Sequence, residues 1–259
     1  GSAVVSASAN QRCLVKNAVQ SLSWRTDVFE LDAATDGHVC FILAEELLEH
    51  HGLIERFGID LVVLRRFLSS LEAQYGSNPY HNSVHAADVM LGVHLFLVRF
   101  NLRSRLTEEQ LLAALLAALV HDFNHPGTNN AHECKVISRR AILHSDQSVL
   151  EHHHLASAFE LMRHRELNVL RCLSPTQYSE VRTLMIDMVL HTDLAKHFDF
   201  VQQLESWQYR GYAAFKEAES RAASFKSVAT AGTDANLSTP RSSRADVRPD
   251  LLRASSIAG

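Results

Sequence analysis

The feature that most constrains this chain is a ten-residue apolar run, Leu111 to Val120, with a helix start in front of it and a charged motif behind it. Thr107-Glu-Glu-Gln110 reads as a capping box, in which the threonine serves a free backbone N–H and the glutamine reaches back to the cap. A bilayer-spanning helix needs about 20 apolar residues, so the run predicts a buried core helix. It ends on His121-Asp122-Phe-Asn-His125-Pro126-Gly127, where proline and glycine stop the helix. A carboxylate at the mouth of an apolar helix is costly to bury without compensation. Two readings of Asp122 stay open: a cation beside it, or pairing with an arginine or a helix end.

The rest of the chain follows the helical theme. Glycine and proline are scarce through its middle, and alternating strand patterns are hard to find. Val39, Ile42, Leu43, Glu46 and Leu47 begin one helical pattern, and Leu61, Leu64, Phe67, Leu68 and Leu71 make another. Ser174-Pro175-Thr176-Gln177 supplies a cap, a proline at the first helical position and a glutamine at the third, which predicts a helix to about Thr192. The class implied is all-α, a compact multi-helix bundle of about eight to ten helices joined by short loops, with no internal repeat. Residues 1–20 are small, polar and aperiodic, and read as a poorly ordered lead-in. After about Ala218 serine, threonine, alanine and arginine dominate, so 219–259 reads as a disordered tail and 21–218 as the folded domain.

Composition excludes several function classes. A net charge of −4 leaves no basic footprint for nucleic acid. A phosphate anion would therefore need positive charge supplied locally, from a metal or a few cationic groups. Cys13, Cys40, Cys134 and Cys172 form no C-x-x-C pair, which argues against a zinc ribbon or redox motif and suits reduced thiols. No leader pattern, membrane span or Walker-type phosphate loop is read, so the cytoplasm is the default location.

The chain holds 16 histidines, and their positions matter more than their number. Tyr80-His-Asn-Ser-Val-His85 places His81 and His85 four apart, on one face if the segment is helical. Glu151-His-His-His154 and His191-Thr192-Asp193 are further patches. Alone, each is ambiguous: Glu151 suits the first turn of a helix, and Thr192 and Asp193 suit a plain helix end. Together they place four His- and Asp-rich clusters at or near the ends of apolar helices. Imidazole and carboxylate mixtures suit divalent cations. A pair of such ions about 4 Å apart would activate a bridging water, with Asp122 suited to bridge them. A nearby histidine could then protonate a departing oxygen.

At this point the residues resemble a known family. Pro79-Tyr-His-Asn-Ser-Val-His-Ala-Ala-Asp-Val89 is similar to the signature that opens the site of class I 3',5'-cyclic nucleotide phosphodiesterases. His121-Asp-Phe-Asn-His-Pro-Gly127 with Asn130, Leu150-Glu-His-His-His-Leu155 and Val189-Leu-His-Thr-Asp193 follow in the family's order. The resemblance covers roughly residues 24–207 and implies the all-α fold of the HD-type metal phosphohydrolases. It implies His81 as the general acid at the O3' leaving group, with Tyr80 and His81 contacting the nucleotide. It assigns His85, His121 and Asp122 to the tighter metal, with Asp122 bridging to a second ion. His125, Glu151, His154, Thr192 and Asp193 would surround that second ion and its waters. The implied ions are zinc and magnesium, or manganese in place of magnesium. The implied reaction is attack of a bridging hydroxide on the cyclic phosphate of cAMP or cGMP, giving a nucleoside 5'-monophosphate.

The resemblance is not found after Trp207. The family's later part carries a further metal-ligating aspartate, a glutamine that orients the purine and a phenylalanine that clamps it. Without counterparts, the chain reads as an incomplete catalytic domain, lacking one ligand and one pocket wall and exposing apolar surface. Two alternatives are weighed against an active phosphodiesterase: another His-Asp metal phosphohydrolase, and a catalytically silent fragment acting as a binding or regulatory module. Purine preference and oligomeric state are not readable from the residues.

Overall fold

The computed structural model describes residues 7–207. Chain contacts divide the protein into units of residues 1–202 and 203–259; of the second, residues 203–207 are described and are helical. The first unit is all helix and loop among the described residues. Its elements are α1 (Ala9–Ser21), α2 (Val28–Ala34), α3 (Val39–His50), α4 (Leu53–Phe57), α5 (Leu61–Gln74) and α6 (Ser83–Arg99). A short 3-10 turn (Arg103–Arg105) leads to α7 (Glu108–Val120), α8 (Asn130–Lys135), α9 (Arg139–Leu143), α10 (Val149–Met162) and α11 (Pro175–Leu190). Residues 194–202 are helical too.

The capping predictions hold. Thr107 and Ser174 each accept from the backbone N–H three residues on, and Gln110 and Gln177 accept from the cap N–H, closing two capping boxes. The second helix ends at Leu190, close to the expected Thr192. The apolar run is the buried core helix expected, with only Ala114 partly exposed among residues 111–120. None of the described helices is long and apolar enough to cross a membrane.

Two expectations are corrected. Residues 9–21 are not a loose lead-in: Ser8 and Gln11 close a capping box at the start of α1, and Val15 and Val19 are fully buried against the core. The eleven α-helices named above, with the further helical residues from 194 on, also exceed the expected range. The excess comes from α4, α8 and α9, of five or six residues each, too short to show a period. The expected domain end at 218 and the tail 219–259 lie outside the described residues.

Two helices organise the core. In α3 every residue from Val39 to Leu48 is buried, and it packs against α1, α5 and α6. Helix α7 packs against α6 and α11. Burying all sides of α3 also buries Glu45, which Arg12 and Arg65 pair at 3.0 and 2.7 Å. Burial works against that charge, but the two guanidiniums hold the carboxyl below its ordinary range. The N-terminus of α3 has no side-chain cap of its own. Glu72 of α5 supplies one, accepting from the Phe41 N–H at 2.9 Å and meeting His38 Nδ1 at 2.7 Å. An apolar cleft of ≈ 230 Å³ opens between α6, α7 and α11, lined by Val89, Val93, Ala114, Ala117, Ala118 and Met188 among others.

Candidate metal centre

The C-terminus of α7 aims His121 and Asp122 at the start of α6. Asn82 caps α6 by accepting from the N–H groups of Val84 and His85, which sets His85 in the first turn. His81 precedes that cap and lies in the loop, so the expected shared helical face is corrected. The loop still brings the His81 and His85 rings within 6.0 Å, nearly perpendicular.

Three donor atoms converge at the core of the site. His85 Nε2 and His121 Nε2 are 3.1 Å apart, and each lies near Asp122 Oδ2, at 3.3 and 3.2 Å. An ion with four ligands at ~2.0–2.1 Å requires donors about 3.3 Å apart, so this near-equilateral triangle has the dimensions of one face of such a site. The His121 tautomer agrees. Its Nδ1–H donates to the Ala118 carbonyl at 2.9 Å, which turns Nε2 toward the triangle. Without an ion, His121 Nε2 shares a proton with Asp122: burial works against both charges, but hydrogen bonds from His121 and His85 hold the carboxyl well below the usual range, and Asp122 raises the His121 pKa. A cation at the triangle would take that proton's place.

A second set shares Asp122. Its Oδ1 lies 3.6 Å from His154 Nε2, and Asp122, His125 and His154 form a further cluster with metal-ligand spacing. His154 donates from Nδ1 to the Phe123 carbonyl at 2.8 Å, so its bare Nε2 faces a carboxylate oxygen. Burial lowers the His154 pKa to about 3, so no proton sits between the two at neutral pH. Two lone pairs face to face call for a cation or a donor between them. His125 is wired the other way: its Nδ1 accepts from the Gly127 N–H at 3.0 Å, leaving the proton of the neutral ring on Nε2. Burial and the neighbouring His81 lower its pKa to about 4. Gly127 makes this turn at φ +85°.

The remaining residues line the same cleft, of ≈ 870 Å³. Asn130 holds Glu151 with Nδ2, at 3.0 Å to one carboxylate oxygen, and accepts from the Leu150 N–H at 2.8 Å. Burial raises the Glu151 pKa even against that hydrogen bond. Asp193 is buried and accepts from Ser148 Oγ at 2.7 Å and the Ala195 N–H at 2.9 Å. Thr192 is exposed at the rim, its hydroxyl donated to the Val189 carbonyl. Tyr80 stands exposed against the His85 ring, with centroids 4.5 Å apart. All ten predicted site residues, Tyr80, His81, His85, His121, Asp122, His125, Glu151, His154, Thr192 and Asp193, thus border one cleft.

Among the described residues the cleft has no lysine or arginine in its lining, while Asp122, Glu151 and Asp193 bring three carboxyl groups. An anion could enter only with cations present, and the donor set described above fits them. Sequence reading missed Ser148, which donates to Asp193, and Asn78, whose Nδ2 donates to the His125 carbonyl. Ser148 sits at φ 40° in front of α10, without a sequence signal for that conformation. Asn78 had one, the Asn-Pro turn dipeptide.

Comparison with known proteins identifies the family. The sequence model of the 3'5'-cyclic nucleotide phosphodiesterase family matches residues 80–241, more than half of the chain and beyond the end near Trp207 that the motifs marked. The chain is 44% identical over 195 residues to human dual specificity calcium/calmodulin-dependent 3',5'-cyclic nucleotide phosphodiesterase 1B, covering 74% of this chain and 36% of the human one. It is 42% identical to the corresponding phosphodiesterase 1 of Drosophila melanogaster, covering 68% of this chain and 21% of that protein. The chain therefore spans well under half the length of these curated relatives. Among solved structures, the phosphodiesterase domain of Salpingoeca rosetta rhodopsin phosphodiesterase superposes with a TM-score of 0.69 at 31% identity, covering 80% of this chain and 60% of that one.

Proposed function

The chain belongs to the 3'5'-cyclic nucleotide phosphodiesterase family, and from that premise we propose that it hydrolyses 3',5'-cyclic nucleotides to nucleoside 5'-monophosphates. The observation that carries the proposal is the triangle of His85 Nε2, His121 Nε2 and Asp122 Oδ2, 3.1–3.3 Å on a side, in a cleft lined by acids and no fixed cation. His85, His121 and Asp122 would hold one divalent ion, zinc in our reading. Asp122 would extend through Oδ1 toward a second, magnesium or manganese. Bound there, the ions would polarise the phosphoryl oxygens and lower the pKa of coordinated water.

The chain's own residues do the rest. His81 is proposed to hand a proton to the departing O3' oxygen, an alkoxide too basic to leave without one. His125 presents Nε2–H beside it. Glu151, His154, Thr192 and Asp193 would order the second ion's surroundings, and Asn130 and Ser148 hold two of those acids in place. Tyr80 offers an exposed ring at the cleft mouth for the nucleoside. The words dual specificity and 3',5'-cyclic nucleotide in the relatives' names support more than one cyclic nucleotide as substrate.

The test is hydrolysis of cAMP and cGMP by the purified chain with magnesium and zinc, followed by 31P NMR. Conversion of the cyclic resonance to that of a 5'-monophosphate, stopped by a chelator, is the expected outcome. A folded, metal-loaded chain that leaves both substrates intact would instead point to a silent binding module.

A further inference from the structure

The loop carrying His81 and the loop carrying His125 are joined by one carboxamide. Asn78 is half-buried, and its Nδ2 donates to the His125 carbonyl at 2.7 Å and lies 3.4 Å from that of His81. Its backbone carbonyl accepts from Asn82 Nδ2 at 2.9 Å, and Asn82 is the residue that caps α6. The space around the carboxamide exists because two neighbours lack side chains. A Cβ on Gly127 would lie 2.8 Å from Asn78 Oδ1, and one on Gly76 would lie 3.4 Å from Nδ2. The same Gly127 donates to His125 Nδ1. With both loops tied, the His81 and His125 rings stack at 3.9 Å and 10°.

We propose that Asn78 is a positioning residue for the leaving-group proton: its carboxamide locks His81 against His125 so that the imidazole points into the cleft. The inference rests on the reading of His81 as the acid under Proposed function. Neither aspartate nor alanine fills the role. Aspartate of the same size has no donor and would set a carboxylate against two carbonyl oxygens. Alanine leaves the His81 loop untied. A residue that merely stabilised the loop would affect all substrates alike. One that aims a proton matters only where the leaving group needs it, and a misplacement of about 1 Å costs on the order of 10²-fold in rate.

The test compares cAMP, whose alkoxide must be protonated, with bis(p-nitrophenyl) phosphate, whose p-nitrophenolate leaves unaided. Asn78→Ala is expected to lower kcat on cAMP by about 10²-fold with little change in KM, and to leave turnover of the nitrophenyl ester nearly unchanged. An equal fall on both substrates, or no fall on cAMP, overturns the inference. His81→Ala, run in parallel, separates the two claims. If it lacks the leaving-group dependence, the acid assignment fails, whereas if it shows the dependence and Asn78→Ala does not, the positioning role fails. A readout independent of turnover is the 1H–13C spectrum of the histidine-labelled chain, in which stacking displaces the His81 and His125 ring protons upfield. Asn78→Ala should lose that displacement, and its retention contradicts the role. Should Asn78→Ala not fold, Asn78→Asp carries the same measurements.

Discussion

Helix α6 sends one histidine into each of two clusters, and the two are wired in opposite senses. His85, near its N-terminus, joins His121 and His154 around Asp122, with the Nε2 atoms of His121 and His154 turned toward the carboxylate. His94, further along, meets His50 and His51, the three rings packed edge to face with centroids 5.1–5.2 Å apart. There His94 Nε2–H donates to the Val19 carbonyl at 3.2 Å, and its Nδ1 accepts from His51 Nε2–H at 2.9 Å. The hydrogen-bonded nitrogens are spent, and the charges that act on the cluster, Lys16 on His50 and Arg103 on His51, are positive. We read a histidine cluster as a candidate metal site where its ring nitrogens converge on a carboxylate. Without the carboxylate the same residue type makes a neutral relay that ties α1, α3 and α6 together.

The comparison can be broken most forcefully at Asp122. Asp122→Ala should strip the ions and abolish turnover, a loss greater than the ~10–100-fold that outer partners of a metal ligand cost. Stoichiometric metal retained by elemental analysis would refute its central place. Next in size, His81→Ala should lower cyclic nucleotide turnover by ~10²–10⁴-fold with the metal content intact, which separates proton donation from ion binding. Unchanged turnover would remove His81 as the acid.

The relay should behave otherwise. His94→Leu leaves the Val19 carbonyl without its donor and should cost ~1–3 kcal/mol by urea unfolding, with metal content and turnover per folded molecule unchanged. A loss of metal there would erase the distinction between the clusters. The smallest effect is in the pH dependence of stability. Burial, with His94 and His50 beside it, lowers the His51 pKa to about 3, against about 6.5 in the unfolded chain. The unfolded state therefore takes up the proton first. This contribution is fully present above about pH 6.5 and fades as pH falls toward 3. The His94→Leu variant should show a shallower acid limb over that window in thermal melts recorded across pH.

What was legible beforehand follows from where the determining physics lies. The helices begun by Thr107 and Ser174 announce themselves because a capping box is local, complete within four residues. Helix α1 does not, because only Val15 and Val19 of its residues are buried and their partners lie in other helices. The site was legible by residue type but not by geometry. Each of its four clusters was ambiguous alone, and only the packing of α7 against α6 and of α10 beside them sets Asp122 among His85, His121 and His154. The His81–His85 spacing suggested one helical face, yet Asn82 caps α6 and leaves His81 in the loop. Asn78 carries no chemistry of its own, so its position became meaningful only once the two loops were seen side by side.

The most direct measurement is anomalous diffraction at the zinc edge from crystals of the chain soaked in zinc. The expected result is a peak within coordination distance of His85 Nε2, His121 Nε2 and Asp122 Oδ2, with none at His50, His51 and His94. A peak at the relay instead, or none at Asp122, would contradict the assignment of the metal centre.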